Sequence, residues 1–138
     1  MKNITFPRPL KKGDKIAICS PAGYIAKEKV EGAVRQLRRQ GWEPVVMPHA
    51  LGRWGHYSGT PEERYSDMAA ALTDPEVRAV LCSRGGYGVV HIMDDLAKLP
   101  LADDPKWVIG FSDISALHAL MASKGIASIH SPMAAQIM

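Results

Sequence analysis

The chain has 138 residues, 46% apolar and 22% charged, with a formal net charge of +3. That length sets a single domain with a real core, and the composition is that of a globular protein rather than a disordered one. No run approaches the roughly 18 apolar residues of a membrane span, and Cys19 and Cys82, each closing an apolar run, read as buried strand-end thiols rather than a disulfide scaffold.

Charge is unevenly placed, with ten Lys or Arg against three acids in residues 1–40. Lys27, Lys29, Arg35, Arg38 and Arg39 fall mostly off the apolar stripe of a predicted helix, so a solvated face is expected there. No zinc-finger, RRM or helix-turn-helix pattern is present, and a nucleic-acid partner is not expected. The basic lead-in Met1–Lys12 has no apolar stretch after it, so a secretory signal is not expected either.

Residues 15–19 predict a first strand, closed by the turn Ser20-Pro21-Ala22-Gly23. Residues 25–40 predict a helix, with Val30, Ala33, Val34 and Leu37 on one stripe and Gly41 as its stop. A second strand spans 43–47, and a glycine- and aromatic-rich loop spans 49–60. Thr60-Pro61-Glu62-Glu63 opens a second helix with a cap, a proline in the first turn and a capping box. Residues 78–82 predict a third strand, followed by Ser83-Arg84-Gly85-Gly86-Tyr87-Gly88 and a helix over 89–96. Residues 107–109 form a fourth strand, residues 113–124 a helix ending at Lys124-Gly125, and 126–130 a last strand. Such alternation predicts an α/β fold: a Rossmann-like, mostly parallel sheet with helices on both faces. Ligands of such sheets sit at the carboxyl ends of the strands. The Ser20 turn, the Arg84 loop, Ser112 and His130-Ser131 all fall on that rim. The apolar tail Met133–Met138 is expected to meet another surface.

Trp107-Val108-Ile109-Gly110-Phe111-Ser112-Asp113 reads as a strand turning sharply into a helix, the geometry of a nucleophile elbow. Ser112 would stand exposed, with the next amide at a helix N-terminus facing an oxyanion. The pattern G-x-S-x-G is incomplete, since Ile114 occupies the second glycine position, and a helix-capping role for Ser112 is the competing reading. Arg84-Gly85-Gly86-Tyr87-Gly88 supplies closely approachable amides, either as oxyanion donors or as a phosphate cradle. Dinucleotide and P-loop spacings both fail there. A serine nucleophile needs a base. Of the five histidines, His130 ends a strand on the correct rim, but a structural role suits it better than a basic one. His118 lies six residues past Ser112 and is turned away from it.

Several stretches together resemble the LD-carboxypeptidases, serine peptidases that include murein tetrapeptide carboxypeptidases and microcin C immunity peptidases. They are Cys19-Ser20-Pro21-Ala22-Gly23, Tyr57-Ser58-Gly59-Thr60 with Glu63-Arg64 and Asp67, Leu72-Thr73-Asp74-Pro75, Arg84-Gly85-Gly86-Tyr87-Gly88, Gly110-Phe111-Ser112-Asp113 and His130-Ser131-Pro132-Met133. The resemblance runs from about residue 9 to 133. It implies Ser112 as nucleophile and the amides of Asp113 and of Gly85 or Gly86 as oxyanion hole, with Arg84 and Tyr87 at the substrate. It further implies residues 1–138 as an N-terminal domain, a triad Glu and His on a C-terminal domain beyond it, and no metal or cofactor. A muropeptide substrate, a cytoplasmic location and a homodimer are also implied. Ser131 stands where such proteins usually have glycine. Two other readings remain at this point: a non-catalytic peptide- or nucleotide-binding module, and a self-sufficient hydrolase pairing Ser112 with His130.

Overall fold

Apolar runs become strands in a parallel sheet when both faces are to be covered. Here β1 (Lys15–Cys19), β2 (Glu43–Val46), β3 (Val77–Cys82), β4 (Trp107–Gly110) and β5 (Ile129–His130) form one sheet in the order β2-β1-β3-β4-β5. Each registered pair is parallel. The connecting helices are α1 (Lys27–Arg39), α2 (Pro61–Thr73), α3 (Met93–Ala97) and α4 (Ser115–Ser123). The computed structural model describes residues 3–137.

Strand alternation divides the core in two. Ile16 and Ile18 of β1 join Ala79 and Leu81 of β3 on the face covered by Val30, Ala33 and Leu37 of α1. Ala17, Cys19, Val80 and Cys82 point the other way, onto Met68 and Leu72 of α2, Leu96 of α3, and Leu117 and Met121 of α4. The chain runs from β1 outward to β2, then returns to β3 on the other side of β1. That reversal opens a crevice between the carboxyl ends of β1 and β3, where ligands of such sheets bind.

The predicted capping box is present: Thr60 Oγ1 accepts from Glu63 N at 3.2 Å, and Glu63 Oε1 accepts from Thr60 N at 3.0 Å. Strand and helix ends shift by a residue or two, and three departures from the sequence reading are larger. The expected helix over 89–96 is a 3₁₀ turn, Val89–His91, followed by α3. Its entry residue Gly88 has φ 126°, and the Val89 amide donates to the Asp113 carboxylate. The expected helix from 113 begins as a 3₁₀ turn, Ser112–Ile114, before α4. The last strand is only two residues long, because Ile126 bridges to Thr5 of the lead-in instead. Thr5 N donates to Gly125 O at 2.6 Å and Ala127 N to Thr5 O at 2.9 Å.

The tail also differs from expectation. Met133 and Ala134 are buried in this chain's own two cores, and the 3₁₀ turn Ala134–Gln136 packs beside α1. Those residues are covered without another surface; Met138 lies outside the described residues. Both cysteines are buried and free, and burial pushes the Cys82 thiol up to about 12.

At the end of β4 away from the crevice, Lys106 is 1% exposed. Its Nζ donates to Asp104 Oδ2 at 2.8 Å and to Asp74 O. Arg78 Nη1 reaches both Asp104 oxygens, at 3.0 and 3.1 Å. The Lys106 hydrogen bond, and then that of Arg78, hold the Asp104 carboxyl below the usual carboxylate range. A lowered folded pKa gives stability that is present above the unfolded value and lost as pH falls through the folded one. Asp104→Asn is therefore expected to cost about 1–3 kcal/mol at pH 7, below the roughly 3–5 kcal/mol of a broken fully buried pair because Asp104 is half exposed. Urea titrations should show that difference shrinking below the ordinary carboxylate value of about pH 3.9.

Candidate active site

Ser112 is exposed, with φ 62°, the one non-glycine residue in the left-handed region among those described. It caps neither helical element that begins there, so the capping reading does not hold. Gly110 and Ile114 account for the tight turn. A methyl placed on Gly110 would come within 2.6 Å of Ile114 Cγ2, so the close approach that the second glycine of the pattern would serve falls at Gly110 instead. His118 supports the same turn. Gly110 O only accepts, so His118 Nε2 donates to it at 2.7 Å, and Nδ1 accepts from Ser128 Oγ at 2.6 Å. His130 lies edge-on to Phe111. Among the described residues no histidine bonds to Ser112, and the pairing of Ser112 with His130 has no contact behind it.

The glycine-rich loop lies against this turn. A methyl on Gly85 would sit 3.1 Å from Ser112 Cβ, 3.2 Å from Ser112 Oγ and 3.3 Å from Asp113 N. Gly85 O accepts from Gly23 N at 2.9 Å, joining the loop to the turn after β1. The Gly85, Gly86 and Tyr87 amides donate to no acceptor among the described residues. Asp113 latches the far end, its Oδ2 accepting from Val89 N at 3.1 Å. Gly85 is thus brought against Ser112 and Asp113, while Gly86, next in the chain, lies over Gly23.

Arg84 and Tyr87 line an adjoining groove of about 400 Å³, with Gly23, Tyr24, His56, Tyr57 and Gly86. Tyr87 is 59% exposed. The Arg84 stem crosses Gly23, and its Nη1 donates to Tyr24 O at 3.0 Å. Arg53 stacks 4.0 Å from the Tyr24 ring centroid, placing a second cation beside the groove.

Sequence reasoning assigned no role to Arg64, whose guanidinium is buried beneath these loops. Desolvation lowers its pKa from the ordinary arginine value. It assigned none to Asp67 either, which accepts from His49 N at 2.8 Å and from His49 Nδ1 at 2.9 Å. One signal was available: Arg64, Asp67, Met68 and Ala71 share a helical stripe, so two charged residues stand on the buried face of α2. No group of three or more potential metal ligands occurs among the described residues.

A serine raised where a parallel strand turns into a helix, with Gly85 of a neighbouring glycine-rich loop packed against it, defines an α/β domain with a strand–helix elbow. Residues 16–131 match the model of the Peptidase S66 family, described as the LD-carboxypeptidase N-terminal domain, and the chain belongs to that family. It is 40% identical to a putative carboxypeptidase of Streptomyces coelicolor, across 99% of this chain and 46% of that protein. To the murein tetrapeptide carboxypeptidase of Pseudomonas aeruginosa it is 36% identical, across 87% of this chain and 39% of the other. Among solved structures, an MccF-like protein from Bacillus anthracis superposes with a TM-score of 0.86 at 29% identity, over 96% of this chain and 42% of that one. The muramoyltetrapeptide carboxypeptidase from Oxalobacter formigenes gives 0.77 at 30% identity, over 87% and 40%. The chain therefore spans less than half the length of these relatives. Among the described residues no helix is long and apolar enough to cross a membrane.

The Asp113 latch is open to direct test. Asp113→Ala should lower stability by about 0.5–1.5 kcal/mol, the net worth of one hydrogen bond. Asp113→Asn, which keeps an acceptor for Val89 N, should recover most of it in denaturant titrations.

Proposed function

We propose that this chain is the nucleophile-bearing N-terminal part of an LD-carboxypeptidase that removes the terminal D-alanine from murein tetrapeptide during cell-wall recycling. The observation that carries the reading is the exposed, left-handed Ser112 beside the free amides of the glycine-rich loop. In the reaction, Ser112 Oγ attacks the carbonyl of the L–D peptide bond, and its proton passes to a histidine. A glutamate holds that histidine in the required tautomer. Neither partner lies among the residues around Ser112, and the relatives are more than twice as long as this chain. We therefore assign both to a C-terminal domain. The Asp113 and Gly86 amides donate to the tetrahedral oxyanion. Collapse expels the amine of D-alanine, which takes the proton from the histidine, and water then releases the acyl group from Ser112.

A carboxypeptidase substrate carries a free carboxylate one residue beyond the bond that breaks. Arg84, beside Gly85 and with guanidinium N–H groups to spare, is the cation we assign to it, with Tyr87 flanking the same groove.

The reading is tested by D-alanine release from murein tetrapeptide. The protein extended beyond residue 138 should be active and residues 1–138 alone nearly inert; equal rates would remove the split triad. In the extended protein Ser112→Ala should lower kcat by about 10⁴-fold or more. Retained turnover would take Ser112 out of the mechanism. Arg84→Gln should raise KM by about tenfold or more, the effect of losing a charge-assisted pair. A tetrapeptide ending in an amide should then be cleaved equally by Arg84→Gln and the parent.

A further inference from the structure

Arg64 heads the fully buried side chains by size and is 1% exposed. It is a cation with no carboxylate within ion-pairing distance among the described residues. Its partners are instead backbone carbonyls of three separate loops. Nε donates to Gly59 O at 3.0 Å, and Nη1 to Pro21 O at 3.1 Å and to Gly88 O at 2.8 Å. Arginine only donates, so Nη2 donates to His91 Nδ1 at 3.2 Å. The guanidinium also lies 4.7 Å from the Tyr57 ring centroid. Gly88, at φ 126°, leaves room for it: a methyl there would stand 2.7 Å from Nη1.

Stability alone is a weak reason to bury such a group, because well-packed apolar residues commonly replace buried charges without loss. What a planar five-donor fork supplies is fixed angles between its acceptors. Those acceptors are the turn after β1, the loop before α2, and the last residue of the glycine-rich loop. The other end of that loop is tied by Gly23 N to Gly85 O, and the next residue by Val89 N to Asp113. With Gly88 O pinned by Arg64, the segment between has little freedom left.

We propose that Arg64 is a positioning residue: its guanidinium sets the glycine-rich loop against Ser112, and so the placement of the amides that meet the oxyanion. This rests on the reading of Ser112 and the loop amides given above, and it adds a residue that never touches substrate. Displacements of about 1 Å remote from the chemistry can cost around 100-fold in rate.

Two measurements test it, one of them independent of activity. By NMR hydrogen exchange on the 138-residue chain, Arg64→Lys, which keeps the charge but not the fork, should speed exchange of the Val89 amide about tenfold. The Val80 amide in β3 should be unchanged. An unaltered Val89 rate overturns the proposal, and so does equal acceleration at both amides, which would make Arg64 a support of the fold as a whole. Should Arg64→Lys not fold, His91→Phe, at an exposed position, removes one acceptor and gives the same comparison. In the extended protein, Arg64→Lys should lower kcat for D-alanine release by about 10- to 100-fold with KM within about threefold. A raised KM with kcat intact overturns the positioning role. Absence of hydrolysis by the parent protein would sink the peptidase reading and leave the exchange comparison to decide on Arg64.

Discussion

A residue other than glycine held at φ 62° costs about 1–3 kcal/mol, and Ser112 persists there because its surroundings leave no alternative. On one side β4 is locked between β3 and β5. On the other, buried Ile114 packs onto Gly110 and starts the turn that becomes α4. His118 reaches back from α4 to the Gly110 carbonyl, so the helix grips the strand end that precedes it. Strain at Ser112 is thus opposed by sheet register, core packing and one oriented imidazole, and its product is a hydroxyl kept out of the core.

Strand order decides what else stands near that hydroxyl. Because the chain reverses direction across β1, the loops after β1 and β3 flank one crevice, and β4 delivers Ser112 to its rim. Gly23 and Gly85 join the first two loops; Gly85 and Asp113 bring the second against the serine. The opposite ends of the strands are tied by charged side chains instead. There, Arg78, Asp104 and Lys106 form a charged cluster tied to the Asp74 carbonyl, and that end serves stability.

Much of this was legible in the chain because local and global signals agree. Alternating apolar strands and capped helices give the parallel sheet, and Thr60-Pro61-Glu62-Glu63 starts α2 as its chemistry demands. The switch from Trp107-Val108-Ile109 to helical letters marks the turn at Ser112. The failures have physical causes. Residues 89–96 break into two short helical pieces at Ile92, whose φ of −115° and ψ of 0° depart from α-helical values. The last strand shortens because Ile126 finds a partner in Thr5, a contact spanning nearly the whole chain that no local pattern encodes. The tail was read as awaiting a surface, yet that surface is supplied by the chain itself. Arg64 and Asp67 enter the sequence reading only as letters of the family resemblance, without a role, because charged letters in a helix are normally read as its wet side.

Cys19 and Cys82 stand opposite one another in the β1–β3 register, both wholly buried, in strands that lead into the crevice. Burial drives both thiols away from the reactive thiolate form. While the sheet holds, neither sulfur is available to alkylating reagents in water. Parting the central strands releases both together, so labelling of this native pair acts as a built-in clock for how often the middle of the sheet opens.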